Sequence, residues 1–230
     1  MRDEDKPEIR KLPLFRDMSP ENFETLMQAA YAQAFPAQLE MIHQGDPADF
    51  LHVVMEGTVE LFSRWRDRET TMAVVRPVSS FILAACIKDA PYLMSARTIA
   101  KSRIVMIPAN DLRATFRIDP GFAMATITEL ANCYRSVVRH AKSLKLRSSR
   151  ERVAAYIFCQ SRLAGNAASF ILPVEKRLLA SFLGMTPENF SRAVKSLQSD
   201  GVAMDGMRII ITNLAALEAV ADPDPLIDVS

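Results

Sequence analysis

The stretch from Val174 to Leu197 constrains this chain more than any other part of it. Leu178, Leu179, Phe182 and Leu183 share one face of a short helix, and Ala180 is small where a second helix must cross closely. Gly184 supplies the left-handed residue that a tight bend needs. Thr186 is placed to cap the next helix, and Pro187 fits that helix's first position. The order predicts a helix-turn-helix. In its second helix Phe190, Val194 and Leu197 recur at i, i+4 and i+7 and face inward. Glu188, Ser191, Arg192 and Lys195 gather on another face, at the end that enters a major groove in this motif. Arginine bonds bidentately to guanine O6 and N7, glutamate accepts from cytosine N4, and serine bonds either way. Lys195 and Thr186 suit phosphate. Gly201 then ends the helix, and Val202 to Met204, Asp205-Gly206 and Met207 to Ile211 predict a wing hairpin on a type I′ turn. The partner implied is double-stranded DNA.

Net charge does not point to nucleic acid by itself, being only +1. Its distribution does. Between Arg135 and Arg152 lie seven Lys or Arg and one acid, Glu151, beside the reading element. The chain carries no His-Glu-x-x-His, P-loop or Gly-x-Ser-x-Gly, and its three histidines, His43, His52 and His140, are scattered, so it does not read as an enzyme. Cys86, Cys133 and Cys159 show no Cys-x-x-Cys spacing, which argues for small buried hydrophobes and against disulfides, metal sites or an iron–sulfur cluster. The first residues are charged, and the longest apolar run, Phe81 to Ile87, is too short to cross a bilayer. A cytoplasmic protein without a membrane partner is expected.

Upstream, residues 20–34 read as an amphipathic helix with Ser19 as N-cap and Pro20 at the first position. From about Phe35 to Pro108, short apolar stretches alternate with turns at Gly45-Asp46-Pro47, Glu56-Gly57 and Pro77, which indicates an antiparallel sandwich or barrel. After Asp119-Pro120 the period becomes helical. Ala123, Ile127, Leu130, Tyr134, Val137, Ala141 and Leu144 alternate in steps of four and three, the seam of a coiled coil. A homodimer is expected, with Ile127, Leu130, Tyr134, Val137, Ala141 and Leu144 at its interface; the alternative is a long helix lying on its own β domain. Ser148 and Glu151 form a capping box that opens a new helix. The domains expected are 1–118 as sensor, 119–147 as dimerisation helix and 148–230 as winged helix-turn-helix, an α+β protein.

With these residues in view, the sequence resembles the Crp/Fnr family of regulators over almost its whole length. Met41-Ile-His-Gln-Gly-Asp through Glu56-Gly-Thr-Val-Glu-Leu-Phe62 looks like the family's β-roll signature, a cyclic-nucleotide-binding-like jelly roll. Arg152-Val-Ala looks like the opening of its DNA domain. The run Pro187-Glu-Asn-Phe-Ser-Arg192 looks most like the Dnr and NnrR branch, regulators that respond to nitric oxide. In Fnr-like groups the Glu-x-x-Ser-Arg pattern, here Glu188, Ser191 and Arg192, reads a TTGAT half-site. The resemblance also implies RNA polymerase as a partner.

The departures matter equally. Cyclic-AMP binders carry Phe-Gly-Glu-Leu and Arg-Ser-Ala, where this chain has Phe81-Ile-Leu-Ala and Met94-Ser-Ala. Val137-Val138 stands where those proteins carry the Thr-Ser pair that meets adenine. A buried phosphate without a cation is strongly disfavoured, which argues against cyclic AMP. The amino-terminal cysteine cluster of oxygen-sensing Fnr proteins is missing as well. An apolar effector pocket formed by Phe81, Ile82, Leu83, Cys86, Val137 and Val138 is expected, and such a pocket suits haem, with Cys86 or a histidine as candidate ligand. A rival reading is a cyclic-nucleotide-responsive signalling module that acts through protein contacts.

Overall fold

A computed structural model describes residues 4–228, and the chain divides into two units between Cys133 and Tyr134. In the first unit, helices α1 (Asp5–Lys11), α2 (Pro13–Arg16) and α3 (Pro20–Ala29) lead into β1 (Tyr31–Phe35), β2 (Glu40–Ile42), β3 (Phe50–Glu56), β4 (Val59–Trp65), β5 (Arg68–Val75) and β6 (Ser79–Phe81). Helix α4 (Leu83–Lys88), strands β7 (Ser95–Thr98) and β8 (Ser102–Pro108), and helix α5 (Ala109–Ile118) follow. The strands form two antiparallel four-stranded sheets, ordered β1-β8-β3-β6 and β2-β7-β4-β5. This is the expected β-roll.

Strand β3 is buried from Leu51 through Met55, so both of its faces are covered, and its run Leu-His-Val-Val-Met lacks the alternation of a half-exposed strand. In the other sheet, Val59 and Leu61 point into the core while Glu60 lies on the opposite face, 1% exposed. That buried carboxylate accepts a hydrogen bond from Arg97 at 2.7 Å and another from the Thr71 hydroxyl at 2.5 Å. Arg97 also meets Glu69, Glu69 meets Arg64, and Arg64 meets Glu40. The chain of alternating charge satisfies groups that would be costly if buried alone. Between β3 and β4 the turn rests on Gly57, at φ +90°. A Cβ there would stand 2.2 Å from Ser102 Oγ and 2.6 Å from the Lys101 carbonyl, so only glycine fits.

One expectation fails here. The helix read over residues 20–34 stops at Ala29, and residues 31–35 are a strand. Tyr-Ala-Gln-Ala-Phe has favourable helix propensity through its alanines and glutamine, but its register with Met106 through Ser102 supplies strand hydrogen bonds that propensity does not outweigh. The capping by Ser19 is as expected, its hydroxyl accepting from the Asn22 N–H.

Helix α6 (Pro120–Leu146) runs for 27 residues across the division between the units. Asp119 begins it by accepting from the Phe122 N–H at 2.8 Å and, through its other oxygen, from Ser19 N–H and Asn22 Nδ2 at 2.9 Å. Burial would raise this carboxyl, but the hydrogen bonds from Asn22, Phe122 and Ser19 hold it at about 2. The second unit continues with α7 (Ser149–Leu163), β9 (Ser169–Ile171), α8 (Lys176–Phe182), α9 (Pro187–Ser196), β10 (Val202–Asp205), β11 (Arg208–Ile211) and α10 (Leu214–Ala221). The Ser148–Glu151 capping box is present in both directions. The small sheet is ordered β10-β11-β9.

The wing hairpin sits one residue later than the expected type I′ turn. Asp205 pairs with Arg208, so Gly206 and Met207 are the loop. Of these, only Gly206 has a positive φ, +57°. Type I′ needs two such residues, whereas a type II′ turn needs the first alone. After α10 the chain folds back on Arg147, the residue between α6 and the α7 cap. Arg147 grips Asp228 through both nitrogens, at 2.6 and 2.7 Å, and donates to the Asp222 carbonyl at 3.0 Å.

Candidate nucleic-acid interface and effector site

The recognition element is built by local rules. Thr186 caps α9 by accepting from the Asn189 N–H at 3.2 Å. Gly184, at φ +66°, carries the bend, where a Cβ would lie 2.5 Å from Leu144 Cδ2. Phe190, Val194 and Leu197 are buried at 1%, 4% and 0% exposure. That fixes the opposite side of the helix outward, where Glu188, Ser191, Arg192 and Lys195 are all exposed. Sequence analysis placed these four on one face, and the structure places them there.

The polar groups of Ser191, Arg192 and Glu188 already have intramolecular partners. The Ser191 hydroxyl donates to the Pro187 carbonyl at 3.0 Å, and Arg192 donates to Asn189 Oδ1. The Glu188 carboxylate is held below its ordinary range by backbone N–H at the helix start, then by the Thr186 hydroxyl and the Arg192 charge. Asn189 is the residue that sequence reading missed. Its type and its i,i+3 spacing from Arg192 were the available signal.

The turn is also gripped from behind. Arg152 donates to the Leu183 carbonyl at 2.9 Å and to the Arg147 carbonyl at 2.7 Å. His140 stacks on Phe182 with ring centroids 5.0 Å apart. Leu144, expected at a dimer seam, is 38% exposed and lies over Gly184. Ile127, Tyr134 and Val137 are 53%, 71% and 66% exposed on this helix. Such a row of large apolar side chains is costly to leave in water. Leu130 packs instead against the core of the first unit, and Ala141 is half-buried.

In the first unit, the residues expected to form an effector pocket belong to the core or pack against it. Phe81, Leu83 and Cys86 are buried in its core, with Ile82 packed against them. Burial pushes the Cys86 thiol up to about 12, little offset by Arg113. Val137 and Val138 are exposed. Ile82 adopts a left-handed conformation at φ +65°, a strained state for a β-branched residue.

A cavity of about 390 Å³ lies elsewhere in the first unit, against β1, β8 and β3. Register sets its floor, since Tyr31, Met106 and His52 stand side by side across these three strands. Tyr31 and Phe50 meet edge to face at 5.6 Å, and His52 stacks on Phe81 at 5.2 Å. His52 is 4% exposed. Burial pulls its pKa down to about 4, the nearby Phe50 carbonyl opposing only weakly, and no atom meets ordinary hydrogen-bond geometry at Nδ1. Tyr92 forms one wall and donates to the Phe50 carbonyl at 3.2 Å. Asp46 and Asp49 stand at the rim, exposed.

Haem does not fit these residues. No Lys or Arg lines the cavity to meet haem's two carboxylates. His43 is exposed and bonded to Glu40, and His140 is stacked on Phe182. Among the described residues, no group of three or more His, Cys, Asp and Glu side chains could hold a metal. Among them also, no helix is long and apolar enough to cross a membrane.

A β-roll followed by a winged helix-turn-helix defines a class of ligand-sensing transcription regulators. Residues 32–119 match the cyclic nucleotide-binding domain family and residues 151–220 the Crp-like helix-turn-helix domain family. The two together cover most of the chain, which belongs with the transcription regulators of the Crp/Fnr family. It is 26% identical over 227 residues to the transcriptional activator protein FnrL of Cereibacter sphaeroides, spanning 89% of this chain and 86% of FnrL. It is 22% identical over 211 residues to the CRP-like cAMP-activated global transcriptional regulator of Mycobacterium tuberculosis, spanning 89% and 94%. The solved structure of FixK2 from Bradyrhizobium japonicum has the same fold, with a TM-score of 0.71 at 23% identity over 83% of this chain and 96% of that one.

Proposed function

We propose that the chain acts as a homodimer that reads a TTGAT-like palindrome with Glu188, Ser191 and Arg192, while Lys195 and Thr186 hold phosphates. The observation that carries this reading is the division of α9, with Phe190, Val194 and Leu197 buried and the four reading side chains exposed together. The exposed row Ile127, Tyr134 and Val137 supports pairing of two copies through α6. The functional parts are residues 1–118, 119–147 and 148–230, and recruitment of RNA polymerase is the expected outcome of binding. The Pro187–Arg192 run supports a place near the Dnr and NnrR branch, but the residues do not support haem as the effector. Cyclic AMP is disfavoured by Ile82-Leu83 and Met94, which offer no cation to a phosphate.

Electrophoretic mobility shift on a TTGAT palindrome tests the reading. Arg192→Ala weakens specific binding by about 1–3 kcal/mol and leaves affinity for random DNA nearly unchanged. Equal loss on both DNAs would assign Arg192 to phosphate and remove it from the reading set.

A further inference from the structure

We propose that the cavity against β1, β8 and β3 is a binding site for a small organic cation, an ammonium group carried on a flat or aromatic frame. The inference rests on the reading of the first unit as a sensor and names the class of ligand it takes.

Charge decides the class. The rim carries two carboxylates, Asp46 and Asp49, with no hydrogen bond or ion pair to either side chain. Both lie close enough to Tyr92 to act on its hydroxyl. The one lining side chain able to become cationic is His52, and burial keeps it neutral near physiological pH. Arg113 lines a neighbouring cavity of about 270 Å³ that shares Asp49 and Phe50. It is committed to Asp89 at 3.1 Å and to the Cys86 carbonyl at 2.7 Å. An anion entering here meets two like charges and no counter-charge.

Shape and lining agree. The edge-to-face pair Tyr31 and Phe50, with Tyr92 beside it, offers ring faces, and a cation over such a face is attracted by its quadrupole. The wall is set before any ligand arrives. Gly45 N–H donates to the Tyr92 carbonyl at 2.8 Å and Tyr92 N–H to the Asp46 carbonyl at 2.9 Å, which ties the Tyr92 segment to the turn bearing the acid. A fixed wall lowers the ordering cost of binding. The volume sits near the lower end of small-molecule sites, about 300–1,000 Å³, so the ligand is small.

The test is a charge series of equal size on the full chain. Calorimetric titration and thermal shift are recorded with 2-phenylethylammonium, 2-phenylethanol and phenylacetate. The expected order of affinity is cation, then alcohol, then anion. Asp46→Asn with Asp49→Asn weakens the cation about tenfold or more and leaves the alcohol unchanged. Tyr31→Ala, at an exposed position outside the core, weakens both cation and alcohol. No saturable binding of the ammonium up to roughly 10 mM, a limit set by the weakest useful affinities, overturns the proposal. So does equal affinity across the series, or indifference to the double Asn variant. Operator affinity is measured alongside. Cation binding that leaves operator affinity unchanged keeps the site but removes its sensory role, whereas lost operator binding without ligand concerns the DNA-reading proposal alone.

Discussion

The two sites are assembled in opposite ways. The reading face lies on ten residues of one helix, and its members are exposed because Phe190, Val194 and Leu197, at i, i+4 and i+7, are buried on the other side. The cavity draws Tyr31, Asp46, His52, Tyr92 and Met106 from five separate segments. They meet only because β1, β8 and β3 pair in one register. A one-residue slip in a strand would turn every side chain to the other face, whereas α9 would keep its face even if its surroundings shifted. The reading site therefore tolerates change around it, and the sensing site depends on the whole roll.

Three substitutions probe that contrast, and the largest effect belongs to neither site. Ile127→Lys alters a side chain 53% exposed on the single chain, so both units should melt as in the wild type. Operator binding should nevertheless fall to the nonspecific level, a loss of about 4 kcal/mol or more, because two half-sites are no longer read together. Sedimentation should show monomer. A variant that stays a tight dimer would rule out α6 as the seam.

Next comes Gly57→Ala, which places a Cβ against Ser102 and the Lys101 carbonyl at a positive φ. It should destabilise the first unit by about 3 kcal/mol, combining left-handed strain with overpacking. In scanning calorimetry the transition of the second unit should stay in place. If both transitions move together, the units are not independently cooperative and the contrast between them fails.

The smallest effect is Asp228→Asn, the mirror test in the second unit. Hydrogen bonds and charge from Arg147 hold the Asp228 carboxyl below its ordinary range, although burial opposes them. A depressed folded pKa means stability that is present above the unfolded value near pH 4 and lost as pH falls below it. The variant should cost about 1 kcal/mol at pH 7, since part of the pair remains open to solvent. Its difference from the wild type should shrink toward pH 3. A pH-independent difference would show that the pair contributes through shape and not charge.

Legibility in the sequence followed the same division. Caps at Ser19, Ser148 and Thr186, the bend at Gly184 and the face of α9 all depend on residues within a few positions of each other, and all are found where expected. The strand at residues 31–35 was hidden because its partner lies about seventy positions away and its two alanines are poor strand formers. Phe81, Leu83 and Cys86 were legible as apolar, but a core residue and a pocket wall have the same composition until packing separates them. The loop falls one residue beyond Asp-Gly because Asp205 pairs with Arg208 in the ladder, a cross-strand choice that the dipeptide alone does not encode.

The contact of Leu144 with Gly184 and of His140 with Phe182 gives α6 a property best described as phase. One helix carries the exposed row around Ile127 and, further along, the residues that grip the reading turn. In an α-helix each residue advances the direction of a side chain by about 100° and the axis by about 1.5 Å. The number of residues between exposed Tyr134 and His140, both in the second unit, is therefore an angle as well as a length. Adding one residue would swing the grip about a quarter of a turn around the helix, while adding four would bring it nearly back into line and displace it by about 6 Å. Within the second unit, the direction in which α9 faces from Tyr134 is written into a residue count along a different helix.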